Sequence, residues 1–254
     1  MNVQSVDGGS AFDFGKTSEM YAQFRDIYPP ELYEKLYALG VGKSGTRWLD
    51  LGTGTGVLPL NLYMYGAEIT GTDVSAPQIE AAKALAQKRG ADVRFLTSPA
   101  ESLPFPDGSF DCVTAAQCFW YFDRERVVRE IRRVLKPGGI FIKVYMNWML
   151  ADPVANRSYR LVKRLNPAWT SGATAYSDVY DHPFPGGKVD VFTAEISFTR
   201  ETWHGRMCAC RGTLASMEEK TFAEWERRHR KILQACPEQF KVRHRLYIAS
   251  YRVE

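Results

Sequence analysis

The chain has 254 residues, is 45% hydrophobic and carries a net charge of +4; this suits a soluble protein with a sizeable core, as one domain or one domain with an elaborated cap, and gives no argument for nucleic-acid binding. Residues 1–10 lack the basic and apolar regions of a secretory signal, and the most apolar window, 139–150, is interrupted by Lys143 and far too short to span a membrane. Five irregularly spaced cysteines argue against a disulfide framework and for a reducing compartment, so a cytoplasmic location is expected.

Residues 1–18 are rich in Gly and Ser and read as a mobile start. Pro29-Pro30 opens a helix over Glu31 to Leu39, which Gly40 closes. A strand over 46–51 then runs into Gly52-Thr53-Gly54-Thr55-Gly56, and a helix follows from Val57. The next strand, Glu68 to Thr72, ends in Asp73, and Ser75 is placed to cap a helix carrying Ile79, Ala82, Leu85 and Ala86. Val93 to Leu96 and Phe110 to Ala115 read as strands three and four. Asp123 caps a helix with the stripe Val127, Val128, Ile131, Val134 and Leu135; Lys136-Pro137-Gly138-Gly139 stops it before a fifth strand, Ile140 to Tyr145.

Strands alternating with helices predict a parallel, doubly wound α/β sheet covered on both faces. The pattern then changes. Residues 149–190 mix a helical stretch with a loop rich in Pro, Gly, Tyr and Asp, helical stretches follow near 199–216 and 218–235, and Lys241 to Arg252 reads as a closing strand.

In such a sheet, ligands sit beyond the carboxyl ends of the strands. Residues 50–56, 73–74, 98–101 and 115–121 all arrive there. Glycine lets backbone approach a ligand where a Cβ would collide. An acid before the turn suits an amino-bearing ligand better than a bare pyrophosphate. Asp73 is placed to accept both hydroxyls of a ribose, and Val74 to form one wall of an adenine slot.

These motifs carry a specific resemblance. Leu49-Asp50-Leu51-Gly52-Thr53-Gly54-Thr55-Gly56, Gly71-Thr72-Asp73-Val74-Ser75, Ala100-Glu101-Ser102-Leu103-Pro104-Phe105-Pro106-Asp107-Gly108-Ser109-Phe110-Asp111 and Leu135-Lys136-Pro137-Gly138-Gly139 resemble a class I S-adenosylmethionine-dependent methyltransferase of the small-molecule type, a group that includes ubiquinone, menaquinone and trans-aconitate enzymes. The resemblance covers about residues 20–148. It implies a Rossmann-like, seven-stranded, mostly parallel sheet with a helical cap insertion. It further implies that Asp50, Gly52, Thr53, Gly54, Gly56, Asp73, Val74, Ala100, Glu101, Ala116 and Gln117 surround S-adenosylmethionine, with Asp50 near the methionine amino group, Asp73 on ribose, and Ala100 and Glu101 near adenine. The segment holding Tyr21 and Arg25 resembles a lid helix that reaches the cofactor carboxylate or the substrate.

The chain departs from its relatives twice. Pro99 stands where an acid often precedes Ala-Glu, leaving Ser98 to meet adenine N6, and Trp120 stands where relatives carry a histidine. No catalytic residue is assigned; without that histidine, an acceptor that is already nucleophilic is favoured. Candidate acceptor-binding residues are Trp120, Tyr121, Tyr145, Trp148, His204 and Arg206, for a small anionic or aromatic molecule. Arg206 and Arg211 suit an anion clamp, and equally suit ion-paired surface residues. The histidines and Cys208-Ala209-Cys210 lack a metal-site spacing, so no metal is expected. The expected organisation is a lid at 1–44, a core at 45–148, a cap at 149–237 and a closing strand at 238–254. Rival readings are a non-catalytic S-adenosylmethionine-binding protein and an NAD-dependent oxidoreductase, whose G-x-G-x-x-G spacing is broken here by Val57. A nucleic-acid methyltransferase is disfavoured by the modest charge and by the lack of an Asn-Pro-Pro-Tyr-like element after the fourth strand.

Overall fold

The computed structural model describes residues 6–170 and 179–254, so part of the loop expected within 149–190 lies outside the described residues. Among the described residues, β1 (Arg47–Leu51), β2 (Glu68–Asp73), β3 (Val93–Thr97), β4 (Phe110–Ala116), β5 (Leu135–Trp148), β6 (Lys188–Thr199) and β7 (Gln239–Val253) form one sheet in the order β3-β2-β1-β4-β5-β7-β6. From β3 through β5 every ladder is parallel, as expected for strands linked by helical crossovers. The chain divides into two compact units: a first of Met1–Ile27, Met146–Thr174 and Phe192–Leu246, and a second of Tyr28–Tyr145, Ala175–Val191 and Tyr247–Glu254.

Helices α1 (Ser18–Phe24), α2 (Pro30–Ala38), α3 (Val57–Leu62), α4 (Ala76–Arg89) and α5 (Arg124–Val134) precede β5. In the second unit the period of two along β1 sends Leu49 and Leu51 to one face, where Val127, Ile131 and Val134 of α5 pack with Val113 and Phe141. Ile79, Ala82 and Ala86 of α4 close a separate cluster with Leu60 and Phe95. The Asp123 carboxylate accepts the Arg126 amide and starts α5. Ser75 occupies the equivalent place before α4 but makes no side-chain cap bond.

The first unit is built from α1, α6 (Pro153–Leu165), α7 (Arg200–Cys208) and α8 (Glu219–Gln234). Leu161, Val162, Trp203, Met207, Trp225 and Leu233 form its core. Gly205 lets α1 approach α7 closely, since a Cβ there would lie 2.3 Å from the Phe24 ring.

The structure changes four sequence expectations. β5 begins at Leu135: Phe110 pairs with Leu135 and Cys112 with Ile140, so Lys136-Pro137-Gly138-Gly139 sits inside the strand as an irregularity in register. Helix α7 stops at Cys208, because the Thr213 hydroxyl lies 2.7–2.9 Å from the carbonyls of Met207, Cys208 and Cys210, which a longer helix would have bonded itself. β6 occupies residues where no strand was expected. The early segment is packed: Val6 and Phe12 are buried, the Asp7 carboxylate lies 2.9 Å from Arg211 Nε, and it also accepts the Thr170 amide and hydroxyl.

Both Asp7 and Arg211 are buried, so removing one charge strands the other. Asp7→Asn is expected to cost about 3 kcal/mol in urea unfolding, the low end of measured broken buried pairs. Asp7→Asn with Arg211→Met should recover most of that loss. Equal losses in the single and double variants would show that the pair does not hold the segment.

Candidate functional site

Parallel register places the strand ends side by side. Leu51 pairs with Thr72 on one side and Ala115 on the other, and Asp73 pairs with Thr97. Residues 50–56, 73–74, 98–101 and 115–117 therefore leave the sheet at one edge of the second unit.

Asp50 lies on the opposite face of β1 from Leu49 and Leu51, and is only 2% exposed. The Thr114 hydroxyl donates to its Oδ1 at 2.5 Å, and Trp48 Nε1 donates to Thr114 Oγ1 at 2.8 Å. Burial pushes the Asp50 carboxyl up to about 7, against the opposing pull of its hydroxyl donors. The chain then turns through Gly52, Gly54 and Gly56 at φ of +59°, +57° and +79°. A Cβ at Gly52 would stand 2.7 Å from Cys118 Sγ, and one at Gly56 would stand 2.7 Å from the Phe95 ring. Both the left-handed backbone and the close packing therefore demand glycine at these two positions.

Asp73 ties this turn down. Its Oδ2 accepts the Gly54 amide at 3.0 Å and its Oδ1 accepts the Ser75 amide at 2.8 Å. Burial raises its carboxyl, while these amides lower it. Val74 beside it is 51% exposed, a large apolar side chain left open at the end of the strand. The Ser98 amide donates to the Asp73 carbonyl at 3.0 Å, and the Ser98 hydroxyl lies 3.3 Å from the carbonyls of Pro99 and Ser102. Ala100 is buried, whereas Glu101 Oε1 accepts the Asp123 amide at 2.8 Å and so fastens the start of α5. Ala116 ends β4, and Gln117 follows at φ +59°, a left-handed conformation that is costly for a non-glycine residue and concentrates at functional sites. Thr53 is buried in the turn, and its amide donates to the Thr72 carbonyl at 2.9 Å.

Beyond Gln117, Trp120 stacks on buried Tyr145 at 5.3 Å, and Tyr121 lies 5.4 Å from Trp120. Among the described residues, Trp120 Nε1 is buried without a hydrogen-bond partner.

The remaining expected site residues, Tyr21, Arg25, Trp148, His204 and Arg206, belong to the first unit. Arg25 lies over the Tyr21 ring at 4.6 Å and donates to its hydroxyl at 3.1 Å. The Arg206 guanidinium lies 5.0 Å from the Trp148 ring centre, and its Nη1 faces Cys210 Sγ at 3.0 Å. His204 is engaged inside the helices: its Nδ1 is 2.8 Å from His229 Nδ1, and its ring stacks on Trp225 at 5.4 Å. Arg211 is ion-paired to Asp7 as the second reading expected, but both it and Arg206 are buried and not on the surface, because the segments around Asp7 and α1 pack over them. Sequence reasoning missed Thr114, although a hydroxyl between Val113 and Ala115 on a buried strand marks a position needing a polar partner. It also missed His244, which is buried on β7. Among the described residues, no group of His, Cys, Asp and Glu side chains could hold a metal ion, and no helix is long and apolar enough to cross a membrane.

Residues 49–143 match the family described as a methyltransferase domain. The chain is 48% identical over 104 residues to a demethylmenaquinone methyltransferase of Thermus thermophilus, a match covering 40% of this chain and 47% of the relative. It therefore spans about half the length of that protein. It is 33% identical over 184 residues to an uncharacterised methyltransferase of Mycobacterium bovis, covering 65% of this chain and 72% of the relative. A solved structure described as a type II methyltransferase of Anaeromyxobacter dehalogenans shares the fold, with a TM-score of 0.64 and 24% identity, covering 89% of this chain and 97% of that one. The matched stretch begins within β1 and runs into β5, enclosing all four loops at the edge of the sheet. The chain belongs to the class I S-adenosylmethionine-dependent methyltransferases.

Proposed function

We propose that this protein transfers a methyl group from S-adenosylmethionine to a small-molecule acceptor. The observation that carries the reading is the tied turn of the second unit: a buried acid, three left-handed glycines and a second acid that grips their backbone. Two carboxylates, which accept hydrogen bonds, suit a ligand bearing an ammonium and a ribose, and suit a pyrophosphate poorly. S-adenosylmethionine supplies a methyl already activated on a positively charged sulfur. The chain's task is to bind and to align, since holding nucleophile and methyl in line supplies most of the rate.

In this reading Asp50 receives the amino group and Asp73 the ribose hydroxyls. Val74, Ala100 and Glu101 border adenine, while Gly52, Thr53, Gly54, Gly56, Ala116 and Gln117 form the wall along the rest of the donor. In the first unit, Tyr21 and Arg25 are suited to a carboxylate. In the second unit Trp120, Tyr121 and Tyr145 suit an aromatic acceptor; in the first unit Trp148, His204 and Arg206 are the residues suited to an anionic or aromatic molecule. The stacked Trp120–Tyr145 pair and its unpartnered indole nitrogen support a ring-shaped acceptor with a hydrogen-bond acceptor atom. The Thermus relative's name, a demethylmenaquinone methyltransferase, points to the same class of shape. The five free cysteines fit a reducing, cytoplasmic setting.

Calorimetry tests the donor. S-adenosylhomocysteine is expected to bind one to one, and Asp73→Asn to weaken it by about tenfold or more, since a charge-assisted bond is worth ~1.5–3 kcal/mol. Binding of NAD in place of S-adenosylhomocysteine would sink the reading.

Asp50 adds a pH signature. Folded, it keeps its proton up to about pH 7; unfolded, it releases it near 3.8. The folded state therefore holds the extra proton between those values, and stability falls as pH rises through that window, by on the order of 4 kcal/mol in the ligand-free protein. Urea unfolding at pH 4.5 and 7.5 should show the slope, and Asp50→Asn should flatten it. The ammonium of S-adenosylhomocysteine favours the ionised carboxyl, so its affinity should rise from pH 6 to 8 in the unmodified protein and stay level in Asp50→Asn. A pH-independent affinity in the unmodified protein would remove Asp50 from the amino group.

A further inference from the structure

The first unit holds two buried arginines only five positions apart, and treats them differently. Arg211 is matched by the Asp7 carboxylate. Among the described residues Arg206, 3% exposed, meets no acid: its Nη1 faces Cys210 Sγ, its Nε has no hydrogen-bond partner, and neither Asp nor Glu is among the groups acting on it. The groups that do act on it electrostatically are Arg25, Cys210 and Tyr21. Close packing forces the two cations together, because the Phe24 ring seats directly on Gly205 and the next residue on each segment is an arginine. Burial, and then Arg25, pull the Arg206 guanidinium down to about 10, so it is still charged at neutral pH. A buried, charged and unmatched guanidinium is expensive, and an anionic ligand is what offsets it.

A second orphan lies near it. His244 is 0% exposed, and its Nδ1 is 3.0 Å from the Val242 carbonyl. Nδ1 therefore carries the proton and donates, leaving Nε2 as a lone pair, and Nε2 is buried without a partner. Burial holds this imidazole down to about 4, and the charges of Arg206 and Arg25 add to that effect, so at neutral pH it accepts rather than donates. An uncharged lone pair calls for an O–H or N–H from a ligand. The surroundings are aromatic: Trp148 lies under Arg206, Trp203 lies 6.0 Å from Trp148, and Phe198 lies 6.1 Å from His244.

We propose that Arg206, His244 and Trp148 form a binding site for an aromatic hydroxy acid, with the carboxylate on Arg206, the hydroxyl donating to His244 Nε2 and the ring against Trp148. The free Nε edge of a planar guanidinium held over an indole matches a planar carboxylate; a phosphate would call for more donors than this site offers. That this hydroxy acid is the methyl acceptor rests on the methyltransferase reading above, whereas the site stands on its own residues.

The test is calorimetric titration of the full chain, with and without saturating S-adenosylhomocysteine, using benzoate, the 2-, 3- and 4-hydroxybenzoates and inorganic phosphate. One hydroxybenzoate isomer should bind about 5- to 10-fold more tightly than benzoate, alongside S-adenosylhomocysteine and not in competition with it. Arg206→Met should weaken both acids at least about tenfold, and Arg206→Lys, which keeps the charge and loses the planar fork, by about half as much on a logarithmic scale. His244→Phe should erase only the advantage of the hydroxyl. S-adenosylhomocysteine affinity should be unchanged in all three variants, which also shows that they fold. Absence of acid binding while S-adenosylhomocysteine binds overturns the site and leaves the methyltransferase reading standing. So does competition between the two, or phosphate binding as tightly as the acids. Acid binding that depends on Arg206, in a protein that does not take S-adenosylhomocysteine, keeps the site and removes the acceptor assignment.

Discussion

The grip of the Asp73 carboxylate on the Gly54 amide is the interaction on which the candidate site depends. One oxygen holds the turn after β1, the other holds the Ser75 amide just after β2, and the Asp73 carbonyl takes the Ser98 amide after β3. A single residue thereby fixes three loops that leave adjacent strands at the same level. Parallel pairing brings the strand ends into line, but it says nothing about the path of the chain beyond them. Asp73 supplies that information, and the left-handed glycines make it cheap to obey.

The chain handles buried charge in three ways. Asp7 and Arg211 cancel each other inside the first unit, so their burial is structural. Asp50 is buried, and burial outweighs the opposing pull of its hydroxyl donors, so it holds its proton to about pH 7. Arg206 has neither an acidic partner among the described residues nor an easy way to shed its charge, because a guanidinium remains protonated far above neutrality. Structure-building favours the first arrangement. The second and third keep an electrostatic need unfilled, and such groups gather where ligands bind.

Much of the second unit was legible in the sequence because its determinants are local. Apolar runs ending in Gly52-Thr53-Gly54-Thr55-Gly56 and in Asp73 mark strand, turn and strand within a few residues, and Asp123 marks the start of α5 through its own side chain. The first unit was less legible for physical reasons. In β6, Phe192, Ala194, Ile196 and Phe198 alternate inward as a strand should, but they are separated by polar residues and follow a stretch without periodicity, so the signal stands alone. The end of α7 depends on Thr213, a residue beyond the helix whose hydroxyl captures carbonyls at its end. The packed start of the chain depends on Arg211, some two hundred residues away in sequence. No window along the chain contains such partners together.

The same distinction explains why the donor half of the proposed reaction could be read from motifs and the acceptor half could not. A nucleoside-bearing ligand is met by backbone turns and strand ends, whose requirements are written as glycine and acid at short spacing. The acceptor residues of the first unit owe their meaning to what is missing around them. Arg206 and Arg211 are equivalent in a sequence: both are arginines in a stretch dense in functional residue types. Only the fold gives one a carboxylate and denies it to the other. Gly205 sharpens the point. In the sequence it is a helix-weakening residue next to a histidine and an arginine; in the structure its missing Cβ is the space into which Phe24 fits, bringing Arg25 toward Arg206, whose charge it opposes.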